Sequence, residues 1–164
     1  MAGDLLWYPT KVTDPPAPCQ APDAMVVLGR PDGDRGSYKQ WEEDDIAPQV
    51  VFEILSPSNT HKEIATKQIF YAKYGVLEMY FYDLDSQNFW GFVRENCEQD
   101  CRLVTPLHLP WTSPILQIRF ELFEDGLAVF YPDGEPFKDP SEFAEERDRA
   151  FAKLRELGID PSEL

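Results

Sequence analysis

The sequence predicts a mixed α/β (α+β) domain built around one sheet. Three observations predict it. Short apolar runs rich in Val, Ile, Phe and Tyr recur from residue 24 to residue 131. One stretch with helix start and stop signals, 60–74, separates two of these runs. Gly, Pro, Asn and Asp punctuate the intervals between strands.

The elements follow in order. "LLWY" (5–8) is a possible short strand, and "TDPPAPCQAP" (13–22) is a Pro-rich connector. "AMVVL" (24–28) is the next strand, introduced by Pro22 and Asp23. Residues 29–49 are rich in Gly, Asp and Pro and predict a long loop. "VVFEIL" (50–55) predicts a strand buried on both faces, and "SPSN" turns the chain. Thr60 with Glu63 three residues on fits a capping box, and Gly75 is a natural stop. "LEMYFYD", "NFWGFVR", "ILQIRFELF" and "LAVFYPDG" predict four further strands, with "SQN" as a hairpin turn between the first two. A last helix is expected from Pro140 to Leu157, with Phe143, Ala150 and Leu157 repeating every seven residues. That stripe suits dimerisation or packing on its own domain. The chain divides into an opening segment (1–22), a core (23–138) and a C-terminal amphipathic helix (139–164), within a single domain.

Composition bounds the function. A hydrophobic fraction of 43% with 11 Phe, 7 Tyr and 4 Trp argues for a folded chain. No apolar run approaches the roughly 20 residues of a membrane span, and the start has no apolar stretch of signal-peptide length. Three cysteines make no disulfide framework. These features predict a cytoplasmic protein with no membrane partner. Thirty Asp plus Glu against 15 Lys plus Arg give a net charge of −15. That balance counts against broad, non-specific DNA binding.

One residue breaks its pattern. Glu53 lies inside the apolar run of 50–55, where a lone charge is costly. Asp23 stands at the mouth of the other buried strand. If the two strands are neighbours, two carboxylates converge, and a hard divalent cation resolves both their repulsion and their desolvation. On the helix, 100° per residue sets Ile64, Ala65, Gln68, Ile69 and Ala72 on the core face. Glu63, Lys67, Tyr71 and Tyr74 then form a flanking strip, from which Lys67 can present a fixed positive charge. Each residue also has a plain structural role open to it. Glu63 can pair with Lys67 at i,i+4 or close the capping box, Asp23 can start a turn, and Glu53 can belong to a salt bridge.

The segments "APDAMVVLGRPDG", "GSYKQWEEDDIAPQVVFEILSPSNT" and "FYAKYGVLEMYFYD", with Glu63, Lys67 and the closing "LRELGIDP", resemble the Uma family of predicted restriction endonucleases. That family belongs to the PD-(D/E)XK nuclease superfamily. The resemblance runs from about Ala21 to the end. It implies a restriction-endonuclease-like mixed sheet with flanking helices and Mg²⁺- or Mn²⁺-dependent hydrolysis of DNA. It implies that Asp23 and Glu53 bind the metal. Leu55 stands where the usual lysine follows the acid, and Lys67 is the implied substitute. Glu63 matches an acidic helix position. The resemblance also implies an N-terminally shortened member, because only 22 residues precede Asp23. An uncovered sheet edge then favours a homo-oligomer. The acidic balance counts for less if DNA contacts come from a local face bearing Arg30, Arg35, Lys39, Lys62 and Lys73, and the sequence does not show that these residues share one.

Other signals are weaker. Asp32, Asp34 and Glu43 match positions 1, 3 and 12 of a calcium loop, but Gly36 and Ser37 miss positions 5 and 6. Cys97, Cys101 and His108 lack zinc-site spacing, and Cys19 is distant. Two functions therefore remain open. One is a metal-dependent endonuclease; the other is a shortened, inactive nuclease fold serving as a binding or oligomerisation module.

Overall fold

The structure is a computed structural model that describes residues 2–3, 5–13, 16–31, 33–138 and 153. In chain order the strands are β1 (Ala2–Gly3), β2 (Trp7–Tyr8), β3 (Ala24–Val26), β4 (Tyr38–Lys39) and β5 (Val50–Leu55). Helix α1 (His61–Lys73) follows, then β6 (Glu78–Asp83), β7 (Asn88–Val93), β8 (Arg102–Val104), β9 (Trp111–Thr112), β10 (Arg119–Phe123) and β11 (Gly126–Phe130). The C-terminal helix expected over 140–157, with its heptad stripe, lies outside the described residues. So does Asp32.

Six strands make the main sheet, in the order β1-β3-β5-β6-β7-β8. Its one parallel pair is β5–β6, in register from Val50↔Glu78 to Leu55↔Asp83. A parallel pair needs a crossover, and α1 supplies it. The helix starts on Thr60, whose Oγ1 accepts from Glu63 N at 3.2 Å while Glu63 Oε2 accepts from Thr60 N at 2.8 Å. It stops at Gly75, which takes the left-handed φ of +102°.

The helix is turned from the expected face. Tyr71 is fully buried and Ile64, Lys67 and Gln68 are half-buried, whereas Ala65 is exposed and Ile69 is 68% exposed. The cause lies beneath the helix. The Glu53 side chain points up from β5 and takes Lys67 and Tyr71 as partners, so polar contacts set the helix rotation and Ile69 faces outward.

The described part of the segment expected as a loop, 29–31 and 33–49, is tied together by charge pairs. Arg30 Nε and Arg35 Nε hold the two oxygens of Glu43 at 2.9 and 2.7 Å. Those bonds keep the Glu43 carboxyl below its usual range. The segment carries β4, which pairs parallel with β2, and a short 3₁₀ turn over Gln40–Glu42. Tyr38 is buried there and donates to Ile46 O at 2.7 Å, with its hydroxyl pushed up to about 12 by burial.

The sheet separates two apolar clusters. One lies under α1 and gathers Trp7, Met25, Tyr38, Val51, Leu55, Tyr71, Met79 and Phe81. The other gathers Val50, Tyr80, Phe89, Val93, Val104, Ile118 and Phe120. It fills the space between the main sheet and the three-stranded sheet β11-β10-β9. The result is a mixed α+β fold. No helix among the described residues is long and apolar enough to cross a membrane.

Candidate functional site

β3 and β5 are antiparallel neighbours, with Ala24 opposite Phe52. One step further along this register sets Asp23 opposite Glu53. Strand alternation turns both side chains to the α1 face, where Met25, Val51 and Leu55 also point. Asp23 Oδ2 accepts from Ile54 N at 2.6 Å, which fixes its carboxylate across the strand pair. Glu53 is 1% exposed.

Lys67 Nζ donates to Glu53 Oε2 at 2.5 Å from above, and its side chain keeps 21% exposure. Tyr71 OH donates to Glu53 Oε1. Burial pushes the Glu53 carboxyl above its usual range, and the Asp23 charge adds to that; the bonds from Lys67 and Tyr71 oppose it. The Tyr71 hydroxyl is pushed strongly upward, first by burial and then by the Glu53 charge, so it is a donor at every working pH.

Glu63 stands apart from this cluster. Its carboxylate accepts from Thr60 N and from Thr60 Oγ1 at 2.9 Å, and those bonds hold its pKa below the usual range. The helix cap accounts for it. Glu63 does line, with Gln20, Thr60, Lys62 and Lys67, a polar cleft of about 550 Å³ that opens beside the ammonium. A second cleft of about 560 Å³, apolar in character, lies between the main sheet and β10–β11 and reaches Asp23 and Glu53 at its edge.

Three of the cations named for a local face are already paired with carboxylates. Arg30 is engaged by Glu43 and Asp44, Arg35 by Glu43, and Lys39 by Glu42. The discounted metal signals also have ordinary partners. His108 Nδ1 accepts from Thr105 N at 3.0 Å, and Cys97 and Cys101 are free thiols.

A model of the Uma2 family, described as "Putative restriction endonuclease", matches residues 5–129. The chain belongs to this family. One solved structure similar to this Uma2 chain is a putative nuclease from Anabaena variabilis, with 18% identity and a TM-score of 0.43. The match covers 60% of this chain and 54% of that one, so it spans about half of the solved chain. No curated protein matches the chain.

The donor set bears on a cation. Among the described residues, no three His, Cys, Asp or Glu side chains gather as metal ligands. Asp23 and Glu53 form a pair. A hard divalent ion takes one or two carboxylates and completes its shell with water or phosphate oxygens. Two carboxylates facing each other across a strand pair, one of them buried with its pKa raised, suit that demand. The residue that pattern reading placed on the helix strip but gave no role is Tyr71. Its signal was present as the i,i+4 spacing from Lys67, which carries both side chains to one face.

Proposed function

We propose that this Uma2 chain is a divalent-metal-dependent endonuclease that hydrolyses DNA phosphodiester bonds. The observation that carries the reading is the meeting of Asp23, at the start of β3, with Glu53 of β5 and Lys67 of α1. Asp23 and Glu53 would hold Mg²⁺ or Mn²⁺. Such an ion makes a water nucleophilic at neutral pH and neutralises charge on a phosphate oxygen. The chain's own residues do the rest. Ile54 N fixes one Asp23 oxygen, so its carboxylate keeps one direction. Lys67 brings a fixed positive charge to Glu53, and that charge would offset the negative charge a phosphate gains there. Burial of Glu53 strengthens each of these charge interactions.

The test is cleavage of supercoiled plasmid by purified protein. Cleavage should require Mg²⁺ or Mn²⁺ and stop with EDTA. Asp23→Ala and Glu53→Ala should each abolish it. Equal nicking by wild type and Glu53→Ala would show contamination rather than catalysis.

One observation favours a second reading. Both Glu53 oxygens already have donors, and Arg30 and Arg35 are neutralised within their own loop. A closed polar cluster and two arginines held within their own loop suit a nuclease fold that serves as a binding or assembly module. Plasmid left intact across several divalent ions would select this reading.

A further inference from the structure

We propose that Tyr71 is a positioning residue, whose core-locked hydroxyl fixes the Glu53 carboxylate for cation binding. The proposal rests on the reading of Asp23 and Glu53 as the cation's ligands. It concerns a residue that takes no part in the carboxylate–lysine trio.

A glutamate has three rotatable side-chain bonds, and burial alone does not choose among its rotamers. Lys67 attracts the carboxylate but orients it poorly, because an ammonium is a point charge on a flexible stem. Tyr71 differs in kind. Its ring lies nearly parallel to Trp7, at 11° with centroids 6.3 Å apart, and edge-on to Phe70 at 6.0 Å. Trp7 is itself held from several directions. Its Nε1 donates to Gln40 Oε1 at 3.1 Å, and its backbone pairs with Gln20 on one side and Tyr38 on the other. The aromatic core therefore decides where the Tyr71 hydroxyl points, and it points at Glu53 Oε1.

The geometry leaves capacity for a ligand. A carboxylate offers about four lone-pair sites over its two oxygens. Tyr71 takes one on Oε1 and Lys67 takes one on Oε2. By count, one lone-pair site on each oxygen is left, and the proposal assigns it to a cation shared with Asp23. A hydrogen-bond partner that orients a ligating side chain is typically worth about 10–100-fold in metal affinity.

The test measures Mn²⁺ binding to the full chain by calorimetry, beside Mn²⁺-dependent plasmid nicking. Tyr71→Phe keeps the ring and its stacking and removes only the hydroxyl. It should bind Mn²⁺ about 10–100-fold more weakly. Half-maximal nicking should need correspondingly more Mn²⁺, while the rate at saturating Mn²⁺ returns close to that of wild type. Tyr74→Phe, in the same aromatic cluster but away from Glu53, should leave both unchanged. Wild-type affinity in Tyr71→Phe would overturn the proposal, as would a saturating rate that stays low at unchanged affinity. A Tyr71→Phe chain that no longer folds would also overturn it, by assigning the hydroxyl to stability. A wild-type chain that binds no Mn²⁺ would overturn the two-carboxylate reading itself, and the positioning role with it.

Discussion

Two glutamates are buried to the same degree on opposite faces of one sheet. Glu53 in β5 and Glu78 at the start of β6 are each 1% exposed. Glu78 is surrounded by neutral donors. Tyr80 OH donates to its Oε2 at 3.0 Å, Ser113 OH donates to the same oxygen, and Ile115 N donates to Oε1 at 2.8 Å. These bonds tie β6 to the segment that leads into β10. Glu53 has one neutral donor, one ammonium and a second carboxylate across the strand. Burial is therefore a poor marker of a site by itself. What separates the two is the set of direct partners: Glu78 is satisfied by neutral donors alone, whereas Glu53 bonds an ammonium and faces a second carboxylate.

The comparison can be broken or sharpened by substitution. The largest effect is expected on the Glu53 side. Lys67→Ala should lower the cleavage rate by about 10²–10³ while Mn²⁺ binding persists, because the charge and not the ligand set is lost. Single-turnover nicking beside a metal titration checks both halves. A Lys67→Ala protein that cleaves at the wild-type rate would reduce Lys67 to a structural ion pair, like an ordinary buried salt bridge.

On the other face, Glu78→Gln should cost stability and spare the chemistry. Three donors then meet an amide that cannot accept from all of them, a loss of about 1–3 kcal/mol. Denaturant unfolding measures that loss, and nicking per folded molecule should stay within about twofold of wild type. Loss of cleavage in a folded Glu78→Gln chain would erase the distinction between the two carboxylates.

The smallest effect belongs to the helix cap. Thr60→Ala should cost about 1 kcal/mol. Glu63 adds a pH dependence. Its folded pKa is depressed, so its contribution is present at neutral pH and is lost as pH falls through that depressed value. The stability gap between wild type and Glu63→Ala should therefore close in strong acid. Thermal melts across pH check it. A gap that widens on acidification would contradict the capping assignment.

Much of this was legible in the sequence, for identifiable reasons. Glu53 stood out because a charge interrupts an apolar strand, and the β5–α1–β6 unit was readable because its helix carries a full cap and a glycine stop. Lys67 stood out on the helix strip that borders the core, and a family pattern implied it as well. Glu78 was silent, since a carboxylate at the first position of a strand reads as an exposed end. The helix face was misjudged because periodicity ranks Ile69 as core, and nothing in the pattern tells that a carboxylate below will draw Lys67 and Tyr71 inward. β1, β4, β8 and β9 span two or three residues each, too few to show a period. The order in 29–49 depends on Arg30 and Arg35 meeting Glu43, a convergence that a run of charges does not announce.

Gly91 gives the Glu78 seam a consequence for how this sheet can vary. It lies directly opposite Tyr80 on β7, and a Cβ there would stand 2.6 Å from Tyr80 Cδ1 and 3.0 Å from Met79 O. The bare backbone is the floor on which the Tyr80 ring rests, stacked between Phe52 at 5.6 Å and Phe89 at 5.9 Å. From that resting place Tyr80 donates to Glu78 and accepts from Trp111 Nε1 at 3.1 Å. A strand position that looks like a weakness, lacking any side chain to pack, is thus the least replaceable one in β7. Even alanine would lift the ring from its bed, and the exchange would be felt beyond Tyr80, at its partners Glu78 and Trp111.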